Sequence, residues 1–373
     1  MGKINVLIVG LSPETGGIEN FVLQVVSGMD AQRFHFDVLT FCPACAYEKE
    51  LTQIGCRIFH AARRGKNPVK NYLDQRRFFA QNPNTYDFIW LHLSSASDLK
   101  TILLAKRYTK AKIACHCHGT DFESREGIIR KLHLHLHFKN RPKLLKNTDI
   151  YLACSKLAGE WLYGNIGGQL TVIPNGIDLS VYTFSNVKRD EIRKKIGIED
   201  KLAVGHVGRL SQQKNQYYLI DIFEEFYKKH KDSVLLIAGS GNLEKDLRKK
   251  VSDLSLDDAV FFLGFRADVP DLLHAFDVFL LPSLFEGLPI SIVEAQANGL
   301  PCVISDKVTN EVAVTGLVSF VSIDGPPVDW VGEIENALAK QRDSDVYCEE
   351  LSKAGYSSQT KIEMIDDIFG GGE

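Results

Sequence analysis

The chain has 373 residues, with 44 Lys and Arg against 47 Asp and Glu, a formal charge of -3 and an isoelectric point near 6.4. That length exceeds what one hydrophobic core supports, so two domains are expected, and the balanced charge provides no general field for nucleic acid. Its 8 cysteines and the lack of any apolar run long enough to span a bilayer suggest reduced thiols and a cytoplasmic protein that meets membranes only at their surface.

Residues 3–10 (KINVLIVG) form an apolar run that reads as a buried first strand, being too short for a signal-peptide core. Residues 11–17 (LSPETGG) are turn formers ahead of a helix expected over 18–29. The glycines at 10, 16 and 17 do not make G-x-G-x-x-G, so NAD is not supported. Gly16 and Gly17 suit either a flexible turn or a close approach of backbone to phosphate at a helix N-terminus. Cys42-Pro-Ala-Cys45 has redox or zinc spacing, yet no second pair follows at zinc-ribbon distance, and the segment reads as a loop.

Further strands are expected at 36–41, 57–59, 87–92, 111–117 and 149–155, with helical or polar segments between them. Such alternation predicts a parallel sheet with helices on both faces. Strand 111–117 runs into His118-Gly-Thr-Asp121, which sets an imidazole at the carboxyl end of a sheet strand, where open α/β sheets bind ligands. Cys115, His116, Cys117 and His118 are all metal-ligating types. Consecutive strand residues point to opposite faces, however, so the four cannot hold one ion, and no metal is expected.

Residues 127–146 (GIIRKLHLHLHFKNRPKLLK) carry Arg130, Lys131, Lys139, Arg141, Lys143 and Lys146, with no acid from 130 onward. A basic amphipathic segment of this kind can lie on an anionic membrane, or its long side chains can simply cover the core. His133, His135 and His137 alternate, so on a helix only the first and last share a face; they read as interfacial residues rather than ligands. The turn-rich TVIPNGID at 171–178 places a domain boundary near Leu179, giving domains over 1–179 and 180–355 and a terminal helix within 356–373 that can cross back to the first.

The second domain opens on a strand ending at Gly208, followed by Arg209, a loop to Asn215 and a helix expected over 216–230. Arg209 and Lys214 thus bracket a loop at a strand's carboxyl end and a helix N-terminus, a natural trap for a diphosphate. Ordinary exposed cations would show the same pattern, and no P-loop is present. Gly239-Ser-Gly241 follows strand 233–238, and Phe265-Arg266 follows strand 260–264, where backbone groups can meet a base. In 277–306 a strand at 278–281 leads through a turn at Gly287 and Pro289 into a helix that Gly299 ends, then a strand at 300–305. Glu286 on the turn and Glu294 in the helix can both face one crevice and accept hydroxyls of a polyol. Alternatively they only favour a helix N-terminus and solubilise a helix face.

The run Glu286-Gly-Leu-Pro-Ile-Ser-Ile-Val-Glu294-Ala, followed by Asn298-Gly-Leu-Pro-Cys-Val-Ile-Ser, resembles the E-x7-E region of family-4 retaining glycosyltransferases. Gly17-Ile-Glu19, VIPNGID and G-R-L-x-x-x-K-N resemble other motifs of that family, so the likeness extends from Lys3 to about Phe320. It implies the GT-B fold: α/β, with two doubly wound Rossmann-like domains facing across a cleft, the first for acceptor and the second for nucleotide-sugar. It implies that Glu286 contacts the donor sugar, Glu294 the ribose, and Arg209 and Lys214 the diphosphate, with Gly16 and Gly17 facing that diphosphate. His118 would lie by the reacting sugar, with Asp121 as a neighbour. Gly208, Gly241, Phe265, Gly287, Leu288 and Pro289 complete the expected donor site. Val314 to Val321 stands where the family has a glycine-rich ending and resembles bacterial capsule and exopolysaccharide transferases.

The expected activity is metal-independent, retaining transfer of a hexosyl or N-acetylhexosaminyl group from a UDP-sugar to a saccharide or lipid-linked saccharide. It would serve surface polysaccharide synthesis at the inner face of a membrane, with no cofactor. A nucleotide-sugar epimerase acting without acceptor and a non-catalytic nucleotide-binding subunit are the alternatives.

Overall fold

The computed structural model of the protein describes residues 2–14, 16–119, 127–286 and 288–371. The chain divides into two compact units, one running to Gly176 and resuming at Ser358, the other spanning Ile177–Ser357. The change of unit therefore falls inside the VIPNGID turn.

The first unit is built on a seven-stranded sheet in the order β3-β2-β1-β4-β5-β6-β7, with every pairing parallel. Its strands are β1 Ile4–Val9, β2 Phe34–Thr40, β3 Arg57–His60, β4 Phe88–Leu93, β5 Lys112–Cys117, β6 Ile150–Ala153 and β7 Leu170–Val172. The central strands β1 and β4 are mostly apolar because both faces are covered: Leu7, Val9 and Ile89 enter one core layer, Val6, Ile8 and Trp90 the other. Strand order reverses between β1 and β4, which opens a crevice beyond their carboxyl ends. Gly10 sits there at φ +116°, where a Cβ would stand 2.5 Å from the His92 carbonyl oxygen, so only glycine lets the chain cross the end of β4.

The terminal helix Ser358–Gly370 belongs to this unit. Phe369 packs on Phe88 and Trp90, with ring centroids 4.8 and 5.3 Å away. Its buried Lys361 donates to the Gly176 carbonyl at 2.7 Å and to the Gln24 side chain. Gly28 makes room for the helix, since a Cβ there would meet Ile362 Cδ1 at 2.3 Å.

The second unit has a six-stranded parallel sheet in the order β10-β9-β8-β11-β12-β13. Its strands are β8 Leu202–Val207, β9 Ser233–Ala238, β10 Val260–Gly264, β11 Val278–Leu281, β12 Cys302–Ser305 and β13 Val318–Val321. Here the order reverses between β8 and β11, so the loops that leave those strands, from Gly208 and from Pro282, meet at the switch point. The helix Ile290–Ala297 ends as its sequence predicts, with Gly299 at φ +67° and Leu300 N–H returning to the Ala295 carbonyl.

Candidate active site

Two loops of the second unit are stitched together by their own polar groups. Leu284 N–H donates to the Gln213 carbonyl at 2.8 Å, Asn215 Nδ2 to the Pro282 carbonyl at 3.1 Å, and Gln213 Nε2 to the Phe285 carbonyl at 3.1 Å. This lays the loop after β8 on the loop after β11 and sets Lys214 Nζ 2.6 Å from Glu286 Oε1, which also accepts from Ser283 Oγ at 2.8 Å. The ion pair is largely withdrawn from solvent, with 16% of the Lys214 side chain and 9% of the Glu286 side chain exposed.

Behind the loops lies His206. Burial pushes its pKa down to about 4 and keeps it neutral, so Nδ1–H donates to the Leu280 carbonyl and Nε2 accepts from Gln216 Nε2. Gln216 also donates to the Arg209 carbonyl at 2.8 Å, which fixes the backbone from which Arg209 extends. The Arg209 side chain is exposed and has no partner among the described residues. With Gly208, Gly239, Ser240, Phe265 and Arg266 it lines a cavity of about 290 Å3. Phe265 is 76% exposed, an apolar ring left uncovered at the cavity mouth. Arg266 is tied to Asp268 by Nε at 2.6 Å.

Gly239 and Gly241 are demanded by the protein itself. A Cβ at Gly239 would stand 1.9 Å from the Gly208 carbonyl oxygen, and one at Gly241 would stand 2.1 Å from that of Leu210. Gly241 serves the close crossing of the β8 and β9 loops and is not among the residues that line this cavity.

Glu294 is turned to a partner that the motif does not contain. Tyr182 Oη donates to its Oε1 at 2.8 Å, and the Tyr182 carbonyl in turn accepts from Asn298 Nδ2 at 2.6 Å. Burial raises the Glu294 pKa, and the tyrosine hydrogen bond opposes that rise. Leu288 packs on the unit's core and Pro289 stands at the residue before the helix that carries Glu294, while the expectation for Gly287 lies outside the described residues. Lys214 and Glu286 are thus in contact, Arg209 reaches the adjoining cavity, and Glu294 is held by its own network. Asp343-Ser344-Asp345, an Asp-x-Asp stretch, caps a helix: Asp343 Oδ1 accepts from Val346 N–H at 3.4 Å.

In the first unit His118 follows β5 and meets His92 of β4, with Nδ1 of His92 and Nε2 of His118 2.8 Å apart. His116 lies in register with His92 and faces the same side, where Phe21 packs edge-on against His116 and His118 at 5.1 and 5.6 Å. Cys115 and Cys117 point the other way, to Thr148 Oγ1 and the Gly119 carbonyl, as strand alternation requires. Burial holds the His118 pKa down to about 3 and those of His92 and His116 well below the usual histidine range, so all three are neutral.

The three rings bring nitrogen atoms within 4.8 Å of one another, a grouping that reading β5 alone misses because His92 comes from the neighbouring strand. Three neutral imidazoles are a donor set that can hold a metal ion. Among the described residues no carboxylate joins the group, and Lys361 Nζ lies 5.2 Å from the centroid of the Phe21 ring that packs on His116 and His118. Within the group only His92 Nδ1 and His118 Nε2 lie at hydrogen-bond distance, and both ring nitrogens of the buried His116 are left without a hydrogen-bond partner.

Gly16 precedes the helix Gly17–Gly28, and a Cβ there would stand 3.0 Å from Glu19 Oε2; at Gly17 a Cβ would meet open space. Glu19 is buried and accepts from Ser12 N–H at 2.9 Å, which tethers this loop. Asp121 lies outside the described residues.

The segment after it forms the helix Gly127–Asn147, with Ile128 85% and Leu132 55% exposed. His137 is not interfacial but fully buried: Ala96 N–H donates to its Nδ1, its Nε2–H donates to the Trp161 carbonyl at 2.9 Å, and it stacks on Trp161. No helix among the described residues is long and apolar enough to cross a membrane.

Residues 15–181 match the family description "Glycosyltransferase Family 4" and residues 188–357 match "Glycosyl transferases group 1". EpsF of Bacillus subtilis (strain 168), named as a glycosyltransferase, is 32% identical over 95% of this chain and 93% of its own. The Escherichia coli UDP-Gal:alpha-D-GlcNAc-diphosphoundecaprenol alpha-1,3-galactosyltransferase is 27% identical over 98% of this chain and 97% of its own. Among solved structures, Anabaena Alr3699/HepE in complex with UDP superposes with a TM-score of 0.78 at 20% identity, covering 99% of this chain and 100% of that one.

Proposed function

The chain belongs to the family-4 glycosyltransferases of GT-B fold, and from that premise we propose that it moves a sugar from UDP to a lipid-linked saccharide in surface polysaccharide synthesis, with retention of configuration. The contact of Lys214 with Glu286 beside the Arg209 cavity carries this reading. Departure of a nucleoside diphosphate concentrates negative charge on its phosphates. Arg209, which has no competing partner among the described residues, and Lys214, already held in place by Glu286, answer that charge from the carboxyl end of the sheet. In this reading the two cations do the work a divalent ion does elsewhere.

Glu286 holds sugar hydroxyls with its remaining acceptor capacity, and Glu294 accepts from the ribose in place of, or together with, Tyr182. Retention follows if the acceptor hydroxyl attacks on the face from which the diphosphate leaves and a phosphate oxygen takes its proton. The uridine nucleotide is favoured because the Anabaena structure holds UDP and the Escherichia coli relative is named for UDP-Gal.

The test is thermal unfolding of the full chain with UDP, GDP, ADP or NAD, combined with a transfer assay. UDP at a hundred times its dissociation constant should stabilise by about 2.7 kcal/mol, and Arg209→Ala should lower turnover about 10² to 10³-fold. Stabilisation by NAD alone, or undiminished turnover in Arg209→Ala, would remove the proposal.

A further inference from the structure

We infer that the first unit holds a subsite for a phosphate carried by the acceptor lipid, between Arg63 and the exposed apolar start of the helix Gly127–Asn147. This rests on the transferase reading and adds to it the charge and the tail of the acceptor. A cavity of about 710 Å3 opens at the carboxyl ends of β2 and β4 and is closed on one side by the loop after β3. Its lining includes His92, Ser94, Ser95, Arg63, Arg64 and His133.

His92 is only 5% exposed, and its Nε2 has no hydrogen-bond partner while Nδ1 is engaged by His118. A buried nitrogen left in this state at a cavity wall calls for a polar group from outside the protein. A sugar hydroxyl fits, since it can both donate and accept.

The two arginines differ. Arg64 is neutralised by Asp98, with Nη2 2.6 Å from Oδ2, so it shapes the loop. Arg63 is exposed, and its guanidinium has neither an ion pair nor a hydrogen bond among the described residues. The cavity therefore has one uncompensated cation and an unsatisfied imidazole, a pairing that suits an anionic sugar derivative, and guanidinium binds phosphate bidentately.

His133 adds the third feature, because it joins the cavity to the helix whose preceding turn exposes Ile128, Ile129 and Leu132. These residues have no cover among the described residues, and Lys131 beside them is also exposed. A free sugar phosphate would answer Arg63 but not the apolar turn, and an uncharged glycolipid would answer the turn but not Arg63. A sugar joined through phosphate to a hydrocarbon chain answers both.

The experiment measures binding to the full chain, without donor, of three probes. They are a long-chain alkyl N-acetylglucosaminyl diphosphate in neutral micelles, the uncharged long-chain alkyl N-acetylglucosaminide in the same micelles, and N-acetylglucosamine 1-phosphate in water. The alkyl diphosphate should bind at least about tenfold tighter than either other probe. Arg63→Ala should remove about tenfold of its affinity, the usual effect of losing a charge-assisted hydrogen bond. The same variant should leave the uncharged glycoside within about twofold, and Arg63→Lys should recover part of the loss.

Equal binding of the charged lipid by Arg63→Ala and the parent chain would overturn the phosphate subsite. A sugar phosphate that binds as tightly as the alkyl diphosphate would overturn the lipid half. Because no donor is present, either failure stands apart from failure of the transferase reading, which shows instead as absent stabilisation by UDP.

Discussion

Tyr182 and Glu294 show how one hydrogen bond can set the working range of a binding site. A ribose hydroxyl donates to a carboxylate, so Glu294 must be ionised to serve as acceptor. Burial raises its pKa and the Tyr182 hydroxyl draws it back down. Nucleotide affinity should therefore fall as pH drops through a value above the ordinary carboxyl range. In Tyr182→Phe the loss should begin at higher pH, because the opposing hydrogen bond is gone. Calorimetric titration of UDP across pH checks this, and identical pH profiles for the two proteins would refute it.

Glu294→Gln should weaken nucleotide binding by about tenfold while removing most of the pH dependence, since a charge-assisted bond becomes a neutral one. Glu286, Glu294, Arg209 and Lys214 were legible in the sequence because each stands in a short local motif. Tyr182 and His92 were not, because their roles depend on which distant segment the fold lays beside them. For His92 the signal was available in principle: it is the register partner of His116 across β4 and β5.

At the scale of elements, the loops after β8 and β11 show why the motif folds as it does. Asn215 adopts a left-handed conformation at φ 55° and opens the helix Gln216–Lys229, which leaves its side chain free to reach the Pro282 carbonyl. The buried strands themselves were readable as apolar runs, since burial on both faces removes alternation. The helix Pro68–Gln81 was less so, although Asn67 caps it by accepting from Lys70 N–H and Pro68 occupies its first position. Its apolar residues are sparse enough to pass for a polar connection.

The helix Gly127–Asn147 was legible as basic, but it is not amphipathic along its length as the sequence reading expected, and the direction of its apolar residues could not be read. Leu144 turns inward, while Ile128, Ile129, Leu132 and Phe138 face out. If that outer stripe meets lipid, Ile128→Asp with Leu132→Asp should abolish sedimentation with vesicles containing anionic lipid and leave UDP binding intact. Each buried apolar side chain contributes about 1.5 to 3 kcal/mol to such contact. Unchanged sedimentation would assign the stripe to something other than a bilayer.

Across the whole molecule, both units bury histidines in the neutral form. The buried His92 and His116 and the half-buried His118 lie in the first, and the buried His206 and His274 lie in the second. For each, desolvation lowers the folded pKa: His206 and His274 to about 4, His118 to about 3, and the other two well below the usual range. In the unfolded chain the same rings titrate near pH 6.5. Below that value the unfolded state binds more protons than the folded one, so stability is complete above about pH 6.5 and falls as pH drops toward the folded values. Each ring can contribute a slope of up to about 1.4 kcal/mol per pH unit in that window.

Because the histidines are divided between the units, acid should weaken both, and neither unit should survive as a stable remnant. Trp90 and Trp161 report on the first unit and Trp330 on the second, so urea titrations of single-tryptophan variants at pH 7.5 and pH 5 separate the two responses. Both midpoints should move to lower urea at pH 5. If only the first unit's midpoint moves, His206 and His274 take up protons as readily in the folded as in the unfolded state, and the neutral His206 scaffold described behind Arg209 would have to be redrawn.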